Sequence, residues 1–239
     1  MRHAKLLPIA LVSFSFGCTG ARTAEEYPDA VAADPDHYSV EFENDVVRLV
    51  RIAYGPGEQS VMHQHPASCA VALGDATWRM TDAEGTVTDD AGALGDVDCP
   101  EASVHLPENT GSEASELILI EFKEGAMAGS ASWFYPDAVT ADPDHYSVEF
   151  ENDVARLLRI RYGAGETSVM HHHPASCNIF LINQPITFEL PNSEVQEMPT
   201  ATTGHVQCTD ADVHLPTNTG EDAFELVLLE LKGREAFQN

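Results

Sequence analysis

The 239-residue chain is poor in basic side chains. Twelve Lys and Arg stand against 39 Asp and Glu, which gives a formal net charge of −27. A chain this acidic repels nucleic acid and anionic membrane surfaces, so we expect neither as a partner. The acidic residues are scattered and form no long block, which favours a solvated surface over a cation-buffering role.

Several common patterns are also missing. No Ser-His-Asp arrangement, phosphate-binding loop or dinucleotide fingerprint stands out. No segment shows a convincing amphipathic helical period, whereas many short alternating segments are separated by turn residues. This pattern predicts an all-β fold.

The start of the chain predicts export. A short basic segment, residues 1–5, precedes an apolar run at residues 6–16 that is too short to span a bilayer as an ordinary helix. We assign residues 1–18 to a signal peptide and 19–26 to a tether. The Gly-Cys-Thr-Gly segment around Cys18 resembles the lipobox of bacterial lipoproteins, which implies a lipidated Cys18 and a periplasmic or cell-surface protein. Ordinary cleavage after Ala21 is the alternative.

An internal repeat sets the domain organisation. Residues 27–69 align with residues 135–177 without a gap at an offset of 108, and they differ at seven positions. Beyond this stretch the two copies diverge. A duplication this clear predicts two domains, which we place at residues 27–124 and 135–239, with a flexible linker at 125–134.

Each copy carries a His-x-His pair. Alternate residues of a β-strand share one face, so both imidazoles of a pair point the same way and form half of a metal site. A further histidine follows in each copy, in Val-His-Leu-Pro. The candidate ligands of the two sites are His63, His65, His105, His171, His173 and His214. Imidazole suits Fe, Mn, Zn, Cu and Ni, so we expect one divalent transition metal per domain without naming it.

The two motifs together resemble the two-part signature of cupins. In the first copy the matching residues are Gly57, His63, His65, Pro100, His105 and Asn109, with Ala102 where Gly is usual. In the second they are Gly165, His171, His173, His214 and Asn218, with Thr209 and Ala211 replacing Pro and Gly. The chain therefore resembles a bicupin, which implies two tandem jelly-roll-like double-stranded β-helix barrels, a small-molecule ligand or substrate, and a homodimer as a family-level expectation. The asparagines are expected to brace a loop.

Metal-binding cupins usually carry a Glu ligand a few residues after the second histidine, where this chain has Cys69 and Cys177. Three interpretations remain open. The thiolate is a fourth ligand, it forms a disulfide with Cys99 or Cys208 as exported proteins allow, or it is a small buried core residue. Strand parity counted from the histidines places Cys69 inward if the strand has no bulge.

The cysteine at the Glu position also resembles thiol dioxygenases, but the late strands lack the Tyr that is cross-linked in some of them. Oxalate-type bicupins need the Glu ligand that is missing here. We therefore expect a metal-binding bicupin that, if it is an enzyme, performs an oxygenase- or lyase-like reaction on a small molecule. The alternative is a non-catalytic ligand- or metal-binding barrel with structural disulfides.

The interior distinguishes these functions. A roomy polar pocket favours the enzyme, whereas one filled by Phe180, Phe188, Trp78 and Met80 favours the binding module. One active and one structural barrel is a third option. Three other histidines are expected outside the sites: an exposed His172, and the turn residues His37 and His145.

Overall fold

The computed structural model describes residues 27–237 and consists almost entirely of β-strands. The strands of the first repeat are β1 (Tyr38–Glu43), β2 (Val47–Tyr54), β3 (His63–His65), β4 (Ser68–Ala72), β5 (Ala76–Asp82), β6 (Val87–Gly92), β7 (Val97–Asp98), β8 (Ser103–Asn109) and β9 (Ser115–Phe122). Those of the second are β10 (Tyr146–Glu151), β11 (Ala155–Tyr162), β12 (His171–His173), β13 (Ser176–Ile182), β14 (Ile186–Glu189), β15 (Val195–Met198), β16 (Val206–Thr209), β17 (Asp212–Asn218) and β18 (Phe224–Leu231). The all-β prediction is confirmed.

Within residues 27–237, helix is confined to one short turn near the start of each repeat, α1 (Ala30–Ala33) and α2 (Ala138–Ala141). Each is N-capped by an aspartate whose carboxylate accepts hydrogen bonds from the first backbone amides. Neither helix of the described residues is long or apolar enough to cross a membrane. The predicted signal peptide and Cys18 lie outside the described residues.

Each repeat folds into two antiparallel sheets that enclose one interior. In the first repeat a five-stranded sheet has the order β1-β2-β9-β4-β7 and a four-stranded sheet the order β3-β8-β5-β6. The second repeat has the same plan, with β10-β11-β18-β13-β16 and β12-β17-β14-β15. Side chains from both sheets line a single cavity in each repeat. We call β1–β9 barrel 1 and β10–β18 barrel 2.

The two barrels share a hydrophobic core formed by the outer faces of their five-stranded sheets. Leu49 and Ile120 of barrel 1 and Leu157 and Leu229 of barrel 2 belong to one fully buried cluster. Burial of this apolar surface holds the barrels together. Two side-chain hydrogen bonds reinforce the contact. Arg51 of barrel 1 donates to the Gly204 carbonyl of barrel 2, and Arg159 of barrel 2 donates to the Gly95 carbonyl of barrel 1.

Both cysteine pairs form disulfides, Cys69 with Cys99 and Cys177 with Cys208. They lie in the core shared by the two barrels. The parity argument that pointed Cys69 inward was wrong, because the chain leaves one sheet at β3 and enters the other at β4, so alternation is interrupted between them. Ser68 and Ala70 line the interior instead. Cys69 and Cys177 are therefore bonded to other cysteines and are not thiolate ligands of a metal.

The other motif residues have structural roles. Asn109 donates to the Gly55 and Glu113 carbonyls and accepts from the Gly111 amide, which braces the loop as expected. Its counterpart Asn218 makes the equivalent bonds. His37 lies in a turn, as predicted, and so does His145. The prediction of an exposed His172 was wrong, since its ring stacks against Trp133 and is buried.

Candidate metal centres

Strand register brings the three histidines of each barrel together. His63 and His65 alternate on β3, with one residue between them, and His63 is directly opposite His105 on the antiparallel neighbour β8. The same register in barrel 2 pairs His171 with His214 across β12 and β17. In each triad the candidate ligand nitrogens all lie within 4.8 Å of one another.

Hydrogen bonding shows that the triad suits a cation. His63 donates from Nδ1 to the Val61 carbonyl at 2.7 Å, and His65 donates from Nδ1 to the Glu121 carboxylate at 2.8 Å. In a neutral imidazole the other nitrogen then carries a lone pair. The two Nε2 atoms face each other at 3.0 Å. A cation between these two acceptors would interact favourably with both, and a transition metal is such a cation.

Burial keeps these imidazoles ready to bind a metal. It lowers the pKa of His63 to about 4, with the neighbouring His65 adding to the effect. It also lowers the pKa of His105 to about 3 and that of His171 to about 3. Since a metal binds only the neutral ring, these histidines hold free lone pairs at neutral pH.

A buried carboxylate on the last strand of each barrel orients the second histidine. Glu121 is 2% exposed, accepts from His65 and pairs with Arg48, which also contacts Asp29 at the start of α1. Burial alone would raise the pKa of Glu121, but the bonds from His65 and Arg48 outweigh it and hold the pKa below its ordinary value. The counterparts in barrel 2 are Glu230, His173, Arg156 and Asp137. Carboxylate-histidine pairs of this kind fix ligand orientation in metal sites.

Sequence reasoning missed these glutamates and also a pair of tyrosines. The Tyr38 hydroxyl lies 3.1 Å from His63 Nε2, and the Tyr54 hydroxyl donates to it at 2.8 Å. Both are 2% exposed. The signal was available, since tyrosines at 38 and 54 recur at 146 and 162 at strand ends. The cupin motifs begin at Gly57 and Gly165, downstream of these tyrosines, and so do not include them.

The third histidine has different partners in the two barrels. His105 lies 3.3 Å from the Ser103 hydroxyl, measured from Nδ1. His214 donates from Nδ1 to the Asp212 carboxylate at 2.7 Å, and its ring stacks face to face on Phe188 with centroids 4.1 Å apart. A carboxylate partner raises the basicity of a histidine ligand more than a hydroxyl does.

The cavities beside the triads differ in size. Barrel 1 encloses about 640 Å³ and barrel 2 about 240 Å³. The strand registers explain the difference, because three phenylalanines of barrel 2 occupy positions held in barrel 1 by smaller or more flexible side chains. The equivalent pairs are Phe180 and Ala72, Phe188 and Met80, and Phe224 and Ser115.

Barrel 2 supplies part of the mouth of barrel 1. The cavity of barrel 1 is lined at its rim by Glu149, Arg159, Arg161 and Glu225, all from the second repeat. The cavity of barrel 2 is lined only by residues of the second repeat. The larger cavity is therefore a composite of both repeats, whereas the smaller one is complete within its own barrel.

Structural comparison shows what this architecture is. The chain superimposes on a cupin 2 conserved barrel domain protein from Leptotrichia buccalis with a TM-score of 0.52 and 10% identity, over 82% of this chain and 88% of that one. The fold is that of two cupin barrels in tandem. AerE from Microcystis aeruginosa matches with a TM-score of 0.53 and 16% identity, over 81% and 91% of the two chains.

A mutant of salicylate 1,2-dioxygenase from Pseudoaminobacter salicylatoxidans has a similar cupin fold, with a TM-score of 0.52, 12% identity, and coverage of 78% of this chain and 72% of that chain. No protein-family model matches the sequence, and no curated protein matches it. Identities this low show a shared fold, and function must be argued from the site itself.

Proposed function

We propose that this chain is an exported metal-binding bicupin, in which barrel 1 is a metal-dependent enzyme acting on a small molecule. The observation that carries the proposal is the pair of facing acceptor nitrogens 3.0 Å apart, on His63 and His65, beside a third, half-buried imidazole. His105 completes the set, and the matching ligands in barrel 2 are His171, His173 and His214. We propose one divalent ion of Fe, Mn, Zn, Cu or Ni per barrel.

A bound metal supplies a Lewis acid with positions open to water, O2 or a small molecule. The protein supplies the rest. Glu121 holds His65 in one orientation, and the Val61 carbonyl does the same for His63. Three uncharged histidines leave the positive charge of a divalent ion uncompensated by the ligands, which favours anionic or electron-rich groups at the open positions.

The cavity of barrel 1 supports the enzymatic assignment. Its 640 Å³ is within the range of small-molecule sites, and it combines apolar walls with the triad histidines and several charged side chains. Trp78 and Met80 line one wall without closing the interior. We propose an oxygenase- or lyase-like reaction. The salicylate 1,2-dioxygenase that shares the fold supports the first of these only as an analogy.

The first test is the metal content of the mature protein, purified without chelator or added metal and measured by elemental analysis. Near two equivalents per chain is expected, falling by one equivalent in His63→Ala and by one in His171→Ala. His205→Ala, at an exposed histidine outside both triads, is the matched control. No metal, with none taken up on adding these ions back, would contradict the proposal.

The reaction class is tested with the metal-loaded protein and a panel of small aromatic and carboxylic acids. O2 uptake that depends on substrate and disappears in His63→Ala supports an oxygenase. Turnover without O2 uptake, with the same dependence, supports a lyase. The absence of both across the panel favours the non-catalytic alternative.

That alternative, a ligand- or metal-binding module with structural disulfides, fits barrel 2 best. Phe180, Phe188 and Phe224 narrow its interior to about 240 Å³, and the Asp212 carboxylate accepts a hydrogen bond from the third histidine. Phe180→Ala is expected to open barrel 2, so that imidazole added as a probe can reach Co(II) bound there. Ala72→Phe should restrict the same access in barrel 1. If the wild-type barrels bind imidazole equally well, the division of roles is wrong.

We also propose that the protein is periplasmic or on the cell surface, held to the membrane only through a lipid on Cys18. Two disulfides support an oxidising compartment. Mass spectrometry of the mature N-terminus distinguishes a lipidated Cys18 from cleavage after Ala21. The proposed partners are a small molecule and a second copy of the chain, with no nucleic acid, and sedimentation tests the homodimer.

A further inference from the structure

We propose that Tyr38, and Tyr146 at the same place in barrel 2, donate a hydrogen bond to the molecule or ion that occupies the open side of each histidine triad. They would act as ligand-contacting residues that select for an acceptor atom beside the metal. This inference rests on the proposed metal site and adds to it a residue that the histidine motifs do not contain.

The geometry places each hydroxyl at the triad. Tyr38 is the first residue of β1, and its ring packs edge-on to His63 with centroids 5.0 Å apart. Its hydroxyl oxygen lies 3.1 Å from His63 Nε2. In barrel 2 the Tyr146 hydroxyl lies 3.0 Å from His171 Nε2. The arrangement therefore occurs twice, independently of the differences between the cavities.

A second tyrosine fixes the direction of the hydrogen bond. Tyr54 donates to the Tyr38 hydroxyl, so the hydrogen of Tyr38 has to point elsewhere. His63 Nε2 is an acceptor within its reach, because His63 Nδ1 already donates to the Val61 carbonyl. The Ser60 hydroxyl is a further polar neighbour of both tyrosines. Tyr162 has the same relation to Tyr146 at 2.6 Å.

Metal binding changes this arrangement. A metal at the triad takes the lone pair of His63 Nε2, and the Tyr38 hydroxyl then loses its acceptor. A buried hydroxyl without a partner is disfavoured. Its hydrogen can turn about the bond between Cζ and the oxygen, while Tyr54 still occupies one side of that oxygen. A ligand bound beside His63 with a free lone pair would offer that hydrogen a new acceptor at the triad.

The tyrosine pair is held too firmly to move away. The Tyr54 ring stacks on His37 with centroids 4.3 Å apart and planes 12° apart. His37 in turn contacts the Asp34 carboxylate at 2.8 Å. Tyr38 therefore stays at the triad, and its hydroxyl remains available to a ligand that brings a lone pair.

Two probes separate this role from a general effect on the site. Azide keeps lone pairs on the nitrogen that binds a metal, so it can accept a hydrogen bond there. Imidazole uses its only lone pair for the metal and cannot. A donor at Tyr38 should therefore strengthen azide binding and leave imidazole binding unchanged.

The experiment uses the Co(II)-loaded full chain in a His171→Ala background, so that barrel 1 alone binds metal. Azide and imidazole are titrated by visible absorption. Tyr38→Phe is expected to weaken azide binding about tenfold or more, since a hydrogen bond to a charged group is lost. Its affinities for imidazole and Co(II) should stay within about twofold. Tyr54→Phe should weaken azide binding less, and Tyr135→Phe, whose ring contacts Phe134, is the matched control.

Unchanged azide affinity in Tyr38→Phe, with normal Co(II) uptake, overturns this inference and leaves the metal site standing. Equal losses for azide, imidazole and Co(II) also overturn it, because they mark Tyr38 as a metal ligand or a structural residue. Failure of the parent to take up Co(II) overturns the proposed function as well. If Tyr38→Phe does not fold, Tyr146→Phe decides the same question in barrel 2, in a background that combines His63→Ala with Phe180→Ala so that both probes reach the metal.

Discussion

Barrel 1 and barrel 2 share one strand plan and one arrangement of histidines, yet their interiors differ. The segment that is almost identical in the two copies provides the His-x-His pair, the tyrosine pair and the arginine that pairs with the buried glutamate. The diverged segment provides the third histidine's partner and much of the cavity wall. The two copies therefore share the inner part of the metal site and differ in what surrounds it.

This division would allow one fold to serve the two proposed roles. A few substitutions, such as Phe180 in barrel 2 at the position of Ala72 in barrel 1, make the cavity of barrel 2 smaller. The strand register at these positions is the same in both barrels. The composite mouth adds a second difference, since only barrel 1 borrows residues from its neighbour. We infer that the metal site is the constant part of the design and that access to it is the variable part.

The two disulfides should contribute equally to the stability of the two barrels, and their loss is the largest effect that we expect. Replacing Cys69 and Cys99 together by Ala should lower the free energy of unfolding by about 3–4 kcal/mol, because each bridge closes a loop of similar length. The Cys177 and Cys208 double variant should lose the same amount. Denaturant unfolding measures both losses, with the reduced wild-type protein as the control. A loss confined to one pair would show that the shared core does not depend equally on the two bridges.

The buried glutamates provide the next test. Glu121→Gln should weaken Zn(II) binding in barrel 1 about 10- to 100-fold, since the amide orients and polarises His65 less strongly than the carboxylate does. Glu230→Gln should do the same in barrel 2. Competition with a chelator measures the affinities. Glu116→Gln on the same strand, whose side chain pairs with Arg51 far from the triad, should change little. Equal effects of Glu116→Gln and Glu121→Gln would contradict the assigned role.

The partner of the third histidine should set the difference in metal affinity between the barrels. Asp212→Ser is expected to weaken Zn(II) binding in barrel 2 about tenfold, and Ser103→Asp to strengthen it in barrel 1. Each is measured with the other triad disabled by His→Ala. Asp210→Ser, whose carboxylate accepts from the Phe237 amide, is the control. If the exchange leaves the ratio of affinities unchanged, the partner is not what distinguishes the sites.

The smallest difference between barrels is expected in their response to acid. Burial lowers the pKa of His63 to about 4 and that of His171 to about 3, against an ordinary value of 6.5. Between the folded-state pKa and 6.5, the unfolded chain binds more protons than the folded one. The metal-free protein should therefore lose stability as the pH falls from about 6.5 toward 4. Thermal unfolding across this range measures the loss. His63→Gln and His171→Gln should each reduce its slope, and an unchanged slope would contradict the burial argument.

Much of this architecture follows from local patterns in the sequence. Alternating apolar residues give the strands, and the repeat gives two equivalent halves, because the backbone period of two is a local property. The His-x-His spacing places two imidazoles on one face by the same rule. The third histidine needed the resemblance to cupins as well, since nothing local says which distant strand lies beside β3.

Other features could not be read from the sequence. The inward orientation predicted for Cys69 failed because the chain passes from one sheet to the other between His65 and Ser68, and parity does not continue through such a crossing. His172 is buried because Trp133, 39 positions earlier, covers it. Glu121 could not be distinguished from the many other acidic residues, because its role depends on which strands lie next to each other.

The sequence by itself determined an all-β chain of two related halves, each with an imidazole pair and a cysteine pair. Only the tertiary structure decided which glutamate and which tyrosine reach the triad, that both disulfides lie in the core shared by the barrels, and that the cavity of barrel 1 is larger than that of barrel 2. Strand formation depends on neighbours along the chain, whereas a site depends on side chains brought together from strands far apart in sequence.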